Sequence, residues 1–123
     1  NQQLSTLACT SQFKAFSNEP AILLAEKLAS LAPGDLNSVF YTSGGSESND
    51  TAIKLARFYW ELKDKPAKRK FIALNNAYHG VTVAAQTATG LSAYHHFSGS
   101  NIEGVVRATA YLLDSEKGDK NGK

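Results

Sequence analysis

Twice in this chain a short, unbroken apolar run gives way to glycine and then to a helical pattern. The first case is "NSVFYTSGGSESNDTAIKLARFYW", where Val39, Phe40 and Tyr41 lead into Gly44, Gly45 and Ser46. The second is "KFIALNNAYHGVTVAAQTATG", where the run from Phe71 to Leu74 leads towards Gly80. An unbroken apolar run reads as a strand buried on both faces, the kind found in parallel sheets covered by helices. After the first glycine turn the period changes. Ile53, Ala56, Arg57 and Trp60 share one side of a helix, with Ala52, Leu55 and Tyr59 beside them.

An earlier helix is punctuated clearly in "SNEPAILLAEKLASLAPGD". Ser17 or Asn18 can cap it, and Pro20 suits its first turn, where a missing N–H costs nothing. Ile22, Leu23, Ala25, Glu26, Leu28 and Leu31 give it an apolar face, and Pro33-Gly34-Asp35 stops it. "VTVAAQTATG" is helix-compatible, with Gly90 as its C′ residue. "SAYHHF" and "IEGVVRATAYLL" have no decisive period. The order helix–strand–helix–strand–helix predicts an α/β fold, mostly parallel sheet flanked by helices.

Composition narrows the function classes. Thirteen basic and 11 acidic residues give a formal net charge of +2, too near balance to argue for nucleic acid or an acidic membrane. No apolar run approaches the roughly 18–20 residues of a membrane span. Cys9 is the single cysteine, so an intrachain disulfide is excluded and a reducing, cytoplasmic setting is expected. The chain has no methionine and opens "NQQLSTLACT", which predicts an internal start or a processed product. Residues 1–113 read as part of one domain, and "DSEKGDKNGK" at 114–123 as a charged tail or a loop cut short.

The glycine turn suits an anion. A helix's first turn has unpaired N–H groups and the positive end of its dipole, and glycine lets a ligand approach the backbone. Ser46 adds a hydroxyl. No Gly-Lys-Ser/Thr follows as in the triphosphate loop, and G-x-G-x-x-G is absent. "GGSES" also lies one residue from the G-x-S-x-G elbow, in which Ser46 would be a nucleophile served by His79 or His95. A glycine turn with a purely structural role is the third reading. "NNAYHG" follows the second run, and ligands of open parallel sheets bind beyond the carboxyl ends of strands. Tyr78 there offers a flat face and a phenol, and Gly80 lets the chain turn beneath a ligand. Alternatively, Tyr78 and His79 simply lead into the following helix.

Taken together, "VFYTSGGSESNDTAIKLARFYW" and "AYHG" resemble the class III aminotransferases, pyridoxal-phosphate enzymes of fold type I. "SNEPAILLAEKLASLAPGDLNSVFYT" is similar to the family's segment before its phosphate loop, so the resemblance covers about residues 16 to 91. It implies the large domain of such an enzyme, with pyridoxal 5′-phosphate as cofactor. Gly45 and Ser46 match the Gly-Ser pair that holds the cofactor phosphate, and Tyr78 matches the aromatic residue stacked on the pyridine ring. His79 and Gly80 complete that motif, with His79 supporting the loop. Gly44 stands where the family often has serine, so a hydroxyl contact is lost there. On this resemblance Ser46 is a phosphate ligand, since the hydrolase reading has no place for the tyrosine motif.

The family's Schiff-base lysine, the aspartate at the ring nitrogen and the carboxylate-binding arginine match nothing in this chain. The resemblance therefore implies a piece of a longer enzyme, inactive alone and with no catalytic residue of its own. The family acts on amines or ω-amino acids with keto acids such as pyruvate, and the resemblance implies a homodimer, the family's typical state, with active sites at the subunit interface. A stand-alone phosphate- or vitamer-binding module is the competing reading. "KDKPAKRK" reads as a solvated connector. His95 and His96 are adjacent and diverge on a helix, so no metal site is expected. Phe13 and Phe16 suit either a pocket wall or core packing, and Cys9 suits burial as a small hydrophobe.

Overall fold

The computed structural model describes residues 1–11, 16–96 and 101–109. It divides into two units, Asn1–Tyr41 and Thr42–Lys123. Phe13, the 114–123 tail and the end of the "IEGVVRATAYLL" segment lie outside the described residues.

In the first unit a five-residue helix α1 (Gln2–Thr6) precedes α2 (Glu19–Leu31). The expected punctuation of α2 is present. Asn18 is the cap, its side-chain oxygen accepting from Ala21 N–H at 3.0 Å, with Pro20 in the first turn. The inward face differs from the expected one. The half-buried positions of α2 and its C-cap are Ala21, Ala25, Ala29 and Ala32, while Ile22, Leu23, Leu24, Leu28 and Leu31 stay exposed. The alanines let backbone come close, and Tyr41 hydroxyl accordingly donates to Ala21 carbonyl at 2.6 Å. Cys9 is exposed as well, not buried.

The expected strand at 38–42 does not form: these residues have no ladder partner among the described residues, and Phe40 is 74% exposed. A strand exists only by pairing, and the apolar run has no neighbour here to pair with.

The second unit contains α3 (Gly45–Leu62), β1 (Phe71–Leu74), α4 (Val83–Ala88), a 3₁₀ turn at Ser92–His96 and β2 (Val105–Ala108). β1 and β2 pair in parallel, Phe71 opposite Val105 and Ala73 opposite Arg107; α4 and the 3₁₀ turn lie between them in sequence, and α3, which precedes β1, packs against α4. The second expected strand is thus present, and its partner comes from the segment that had no decisive period. On α3 the half-buried positions are Ser46, Asn49, Asp50, Thr51, Ile53, Ala56, Arg57 and Trp60, and Ile53, Ala56, Arg57 and Trp60 are the side the spacing predicts. Arg57 reaches from it to Glu103 carbonyl at 2.8 Å and lies over the Phe71 ring.

Gly90 follows the C-cap Thr89 of α4, in the expected place for a different reason. Its φ is not positive; a Cβ there would meet Leu74 carbonyl oxygen at 2.2 Å and Asn76 nitrogen at 2.7 Å. Glycine is needed because two backbones touch. Arg107 side chain then closes the C-terminus of α4, donating to Thr87 carbonyl at 2.7 Å and Ala88 carbonyl at 3.2 Å. That is the end of a helix where a cation is favoured.

Candidate cofactor site

Gly44 is the N-cap of α3, with extended backbone, and Gly45 and Ser46 are its first two residues. The first intrahelical bond runs from Ser48 N–H to Gly44 carbonyl at 3.0 Å, and no side chain caps the end. The N–H groups of Gly45, Ser46 and Glu47 therefore have no partner among the described residues, as a helix start dictates. Gly45 has nothing within 4 Å of where a Cβ would stand, so the approach to those N–H groups is open. Glu47 carboxylate folds back over Gly44, where a Cβ would stand 3.0 Å from its Oε2. The Thr42 and Ser48 hydroxyls bond each other, one donating to its neighbour and the other to Gly44 carbonyl, which lies 3.0 Å from both.

The tyrosine motif comes to this helix start. Gly80 is buried against Ser46 with φ +130°, and a Cβ on it would lie 2.3 Å from Ser46 Oγ. Only glycine fits there. Ser46 Oγ accepts from Val81 N–H at 3.0 Å, which leaves its own proton to donate elsewhere. This is the wrong pairing for a nucleophile, which needs an acceptor for its proton. No histidine ring bonds Ser46 among the described residues. His95 Nε2 instead faces Thr89 carbonyl at 2.5 Å and Arg107 at 2.8 Å.

Tyr78 is 57% exposed, its ring edge-on to Tyr94 at 5.9 Å between centroids, so a face remains open. His79 is held through its backbone: its carbonyl accepts from Asn49 Nδ2 at 2.6 Å, and its N–H donates to Thr89 Oγ1 at 3.0 Å. Thr89 is fully buried and also reaches the Gly80 and Ala85 carbonyls. Asp50 Oδ1 accepts from Thr82 hydroxyl at 2.8 Å and Ala85 N–H at 2.9 Å. The structure thus brings Gly44, Gly45, Ser46, His79 and Gly80 together, with Tyr78 one residue from the contact. Sequence reasoning missed Asn49, Asp50 and Thr89. A signal was present for two of them: polar residues three and four positions after Ser46, on a face that is otherwise apolar.

A parallel strand pair flanked by helices, with a glycine-serine helix start beside a strand-end tyrosine loop, belongs to the α/β proteins that hold ligands at strand ends. The comparisons make this specific. The family description Aminotransferase class-III matches residues 1–122. The chain belongs to that family, whose members are pyridoxal-phosphate enzymes of fold type I. It is 47% identical over 90 residues to the beta-alanine–pyruvate aminotransferase of Pseudomonas aeruginosa, covering 73% of this chain and 20% of that protein. It is 36% identical over 118 residues to the putrescine–pyruvate aminotransferase of the same organism, covering 96% of this chain and 26% of that one. Among solved structures, the omega transaminase of Pseudomonas jessenii in complex with PMP superposes with a TM-score of 0.82 at 39% identity, covering 89% of this chain and 24% of that chain. The chain therefore spans about a fifth to a quarter of the length of these relatives.

Proposed function

We propose that this chain is a portion of the large domain of a pyridoxal-phosphate-dependent aminotransferase, carrying its phosphate cup and ring platform. The observation that carries the reading is the pairing of Ser46. Its hydroxyl takes Val81 N–H and so keeps its own proton to donate, beside first-turn N–H groups that have no partner among the described residues. Three to four donors and no cation-dependent contact make a phosphate-sized anion site, with the helix dipole adding to it. The glycines keep the approach open, and the PMP complex of the jessenii enzyme supports the same ligand class, since PMP is the amino form of pyridoxal phosphate.

In this reading Gly45 and Ser46 bind the phosphate through N–H groups and the Ser46 hydroxyl. Gly44 contributes backbone shape only, having no side chain to add a contact. Tyr78 covers one face of the ring and excludes water from it, while His79 holds the loop through its backbone. Bound pyridoxal phosphate supplies a carbonyl that takes up the amino group and a ring that accepts electrons. The reacting lysine, the aspartate at the ring nitrogen and the substrate arginine come from the rest of the enzyme. The amino donor is an amine or ω-amino acid and the acceptor a keto acid such as pyruvate, in a homodimer; the names of the Pseudomonas relatives support this pairing.

The test uses the full-length enzyme containing this chain. Loaded with pyridoxal phosphate, it should transfer nitrogen from β-alanine or putrescine to pyruvate. Ser46→Ala should release the cofactor more readily. Turnover without pyridoxal phosphate, or a cofactor affinity indifferent to Ser46→Ala, would overturn the reading.

A further inference from the structure

Ser46, Asn49 and Asp50 stand three and four residues apart, so they share one face of α3, the face that continues into Ile53, Ala56 and Trp60. Each reaches the segment from His79 to Ala85 by a different atom. Ser46 Oγ takes Val81 N–H at 3.0 Å, Asn49 Nδ2 gives to His79 carbonyl at 2.6 Å, and Asp50 Oδ1 takes Thr82 hydroxyl at 2.8 Å and Ala85 N–H at 2.9 Å. The Asp50 bonds amount to a helix cap supplied from another helix. Thr82, the N-cap of α4, makes no side-chain cap of its own, and its hydroxyl turns to Asp50 instead. A six-residue helix is far below the length that stands alone, so its start is fixed by what holds it.

Both side chains are spent on the segment that follows Tyr78: Asn49 on the His79 carbonyl, Asp50 on the Thr82 hydroxyl and the Ala85 N–H. One end of the joint is thus the helix start with its unpaired N–H groups. The other is the tyrosine loop, whose far side is pinned by Thr89.

We propose that Asn49 and Asp50 are positioning residues that fix the separation between the α3 N–H groups and the Tyr78 ring. They thereby set the span over which one ligand, carrying both a phosphate and an aromatic ring, engages both. The proposal rests on the cofactor reading above. Two half-sites joined rigidly hold a two-headed ligand with an effective concentration that neither half supplies alone. Loosening the joint lowers that coupling and leaves each half-site's own affinity in place. A general loss of structure would weaken both halves together.

The experiment measures three dissociation constants on the full-length enzyme: for pyridoxal phosphate, for pyridoxal, and for inorganic phosphate. In Asn49→Ala and Asp50→Ala the affinity for pyridoxal phosphate should fall about tenfold, the size of one lost hydrogen bond to a charged or short-range partner. Pyridoxal and phosphate should each change by less than about twofold, since neither bridges the joint. Asp50→Asn keeps Oδ1 as an acceptor and should recover most of the loss. A fall of equal size for all three ligands, or none for pyridoxal phosphate, overturns the positioning role. Where an alanine variant is recovered unfolded, Asn49→Ser and Asp50→Ser, which shorten the side chain but keep it polar, decide it by the same ratio. A wild-type enzyme that binds pyridoxal phosphate no better than pyridoxal would instead overturn the cofactor reading itself.

Discussion

Gly80→Ala tests the closest contact in the site. The added Cβ would lie 2.3 Å from Ser46 Oγ and 2.9 Å from both Ser46 Cα and Cβ, at a residue with φ +130°. Two costs add. Overpacking against a fixed neighbour costs about 1–3 kcal/mol. A non-glycine residue in that backbone region costs about 1–3 kcal/mol more. Rotating the Ser46 hydroxyl away relieves only the first contact and forfeits its bond to Val81 N–H; the Cα belongs to the first turn of α3 and cannot move alone. The sum is about 2–6 kcal/mol, and it falls on the seam between phosphate turn and tyrosine loop. Gly45→Ala is the control. Nothing lies within 4 Å of its added methyl, and it is the first residue of the helix. Its effect on stability should stay within about 0.5 kcal/mol. The assay is thermal melting of the full-length enzyme, comparing the two variants without pyridoxal phosphate, since Gly45 lies on the proposed approach of the phosphate. An enzyme several times longer than this chain need not melt in two states, so the difference in midpoint is the readout. Gly80→Ala should melt several degrees below Gly45→Ala and lose cofactor on dilution. A Gly80→Ala midpoint within about a degree of wild type would refute the contact and the reasoning built on it.

Tyr78→Ala should weaken cofactor retention in the full enzyme by a modest factor, since stacking adds about 0.5–1.5 kcal/mol beyond area burial. Equilibrium dialysis checks it, and an unchanged affinity would make Tyr78 structural only. A fluorophosphonate probe should leave Ser46 unlabelled by mass spectrometry, because its hydroxyl accepts an N–H and bonds no base among the described residues. Arg107→Ala should destabilise the fold by about 1.5–3 kcal/mol through the freed carbonyls of α4, with Arg107→Lys restoring only part for want of a second donor.

What could be read from the sequence was what depends on local chemistry. Asn18 and Pro20 start α2 wherever the chain lies, and the Gly-Ser junction starts α3 because strand-like residues stop there. The face of α3 carrying Ile53, Ala56 and Trp60 follows from a period of 3.6 alone. What could not be read depends on a second segment. Val39 to Tyr41 look as strand-like as Phe71 to Leu74, yet only the latter finds a ladder, in Val105 to Ala108. The face of α2 was misread because its leucines have no covering element among the described residues, so the small alanines take the contact. Gly90 was placed correctly on a helix-ending argument, but what it serves is a backbone crossing some 15 residues back in the chain, at Leu74 and Asn76. Of the site, the residues proposed to meet a ligand come from motif chemistry. The residues that hold those residues, Asn49, Asp50 and Thr89, bond mostly to backbone; polar positions on the apolar face of α3 mark two of them, but nothing in the pattern says which segment they meet.

Expressed alone, this chain should neither transaminate nor melt cooperatively. Among the described residues the buried hydrophobic side chains are Ala73 and Ala85, two methyl groups, and the other fully or nearly buried side chains are Gln86, Thr87 and Thr89. The large apolar residues are elsewhere: Ile72 on β1 is 78% exposed, and Phe58 and Leu62 on α3 and Leu23 and Leu31 on α2 are more than half exposed. Covering each such side chain contributes about 1.5–3 kcal/mol, so it is the covering elements that would make this fold stable. The two-stranded sheet has the same need. A pair of four-residue strands is marginal in water, and each has an unpaired edge among the described residues. Cofactor could rescue the fold only as far as mass action allows, and half of a site binds weakly. Circular dichroism through a thermal ramp, with and without pyridoxal phosphate, and a transamination assay on the same sample decide the matter. A cooperative melt together with turnover would overturn the reading of this chain as one portion of an enzyme. A cooperative melt without turnover would favour a stand-alone module for phosphate or a vitamer, and a broad, non-cooperative loss of signal is the expected result.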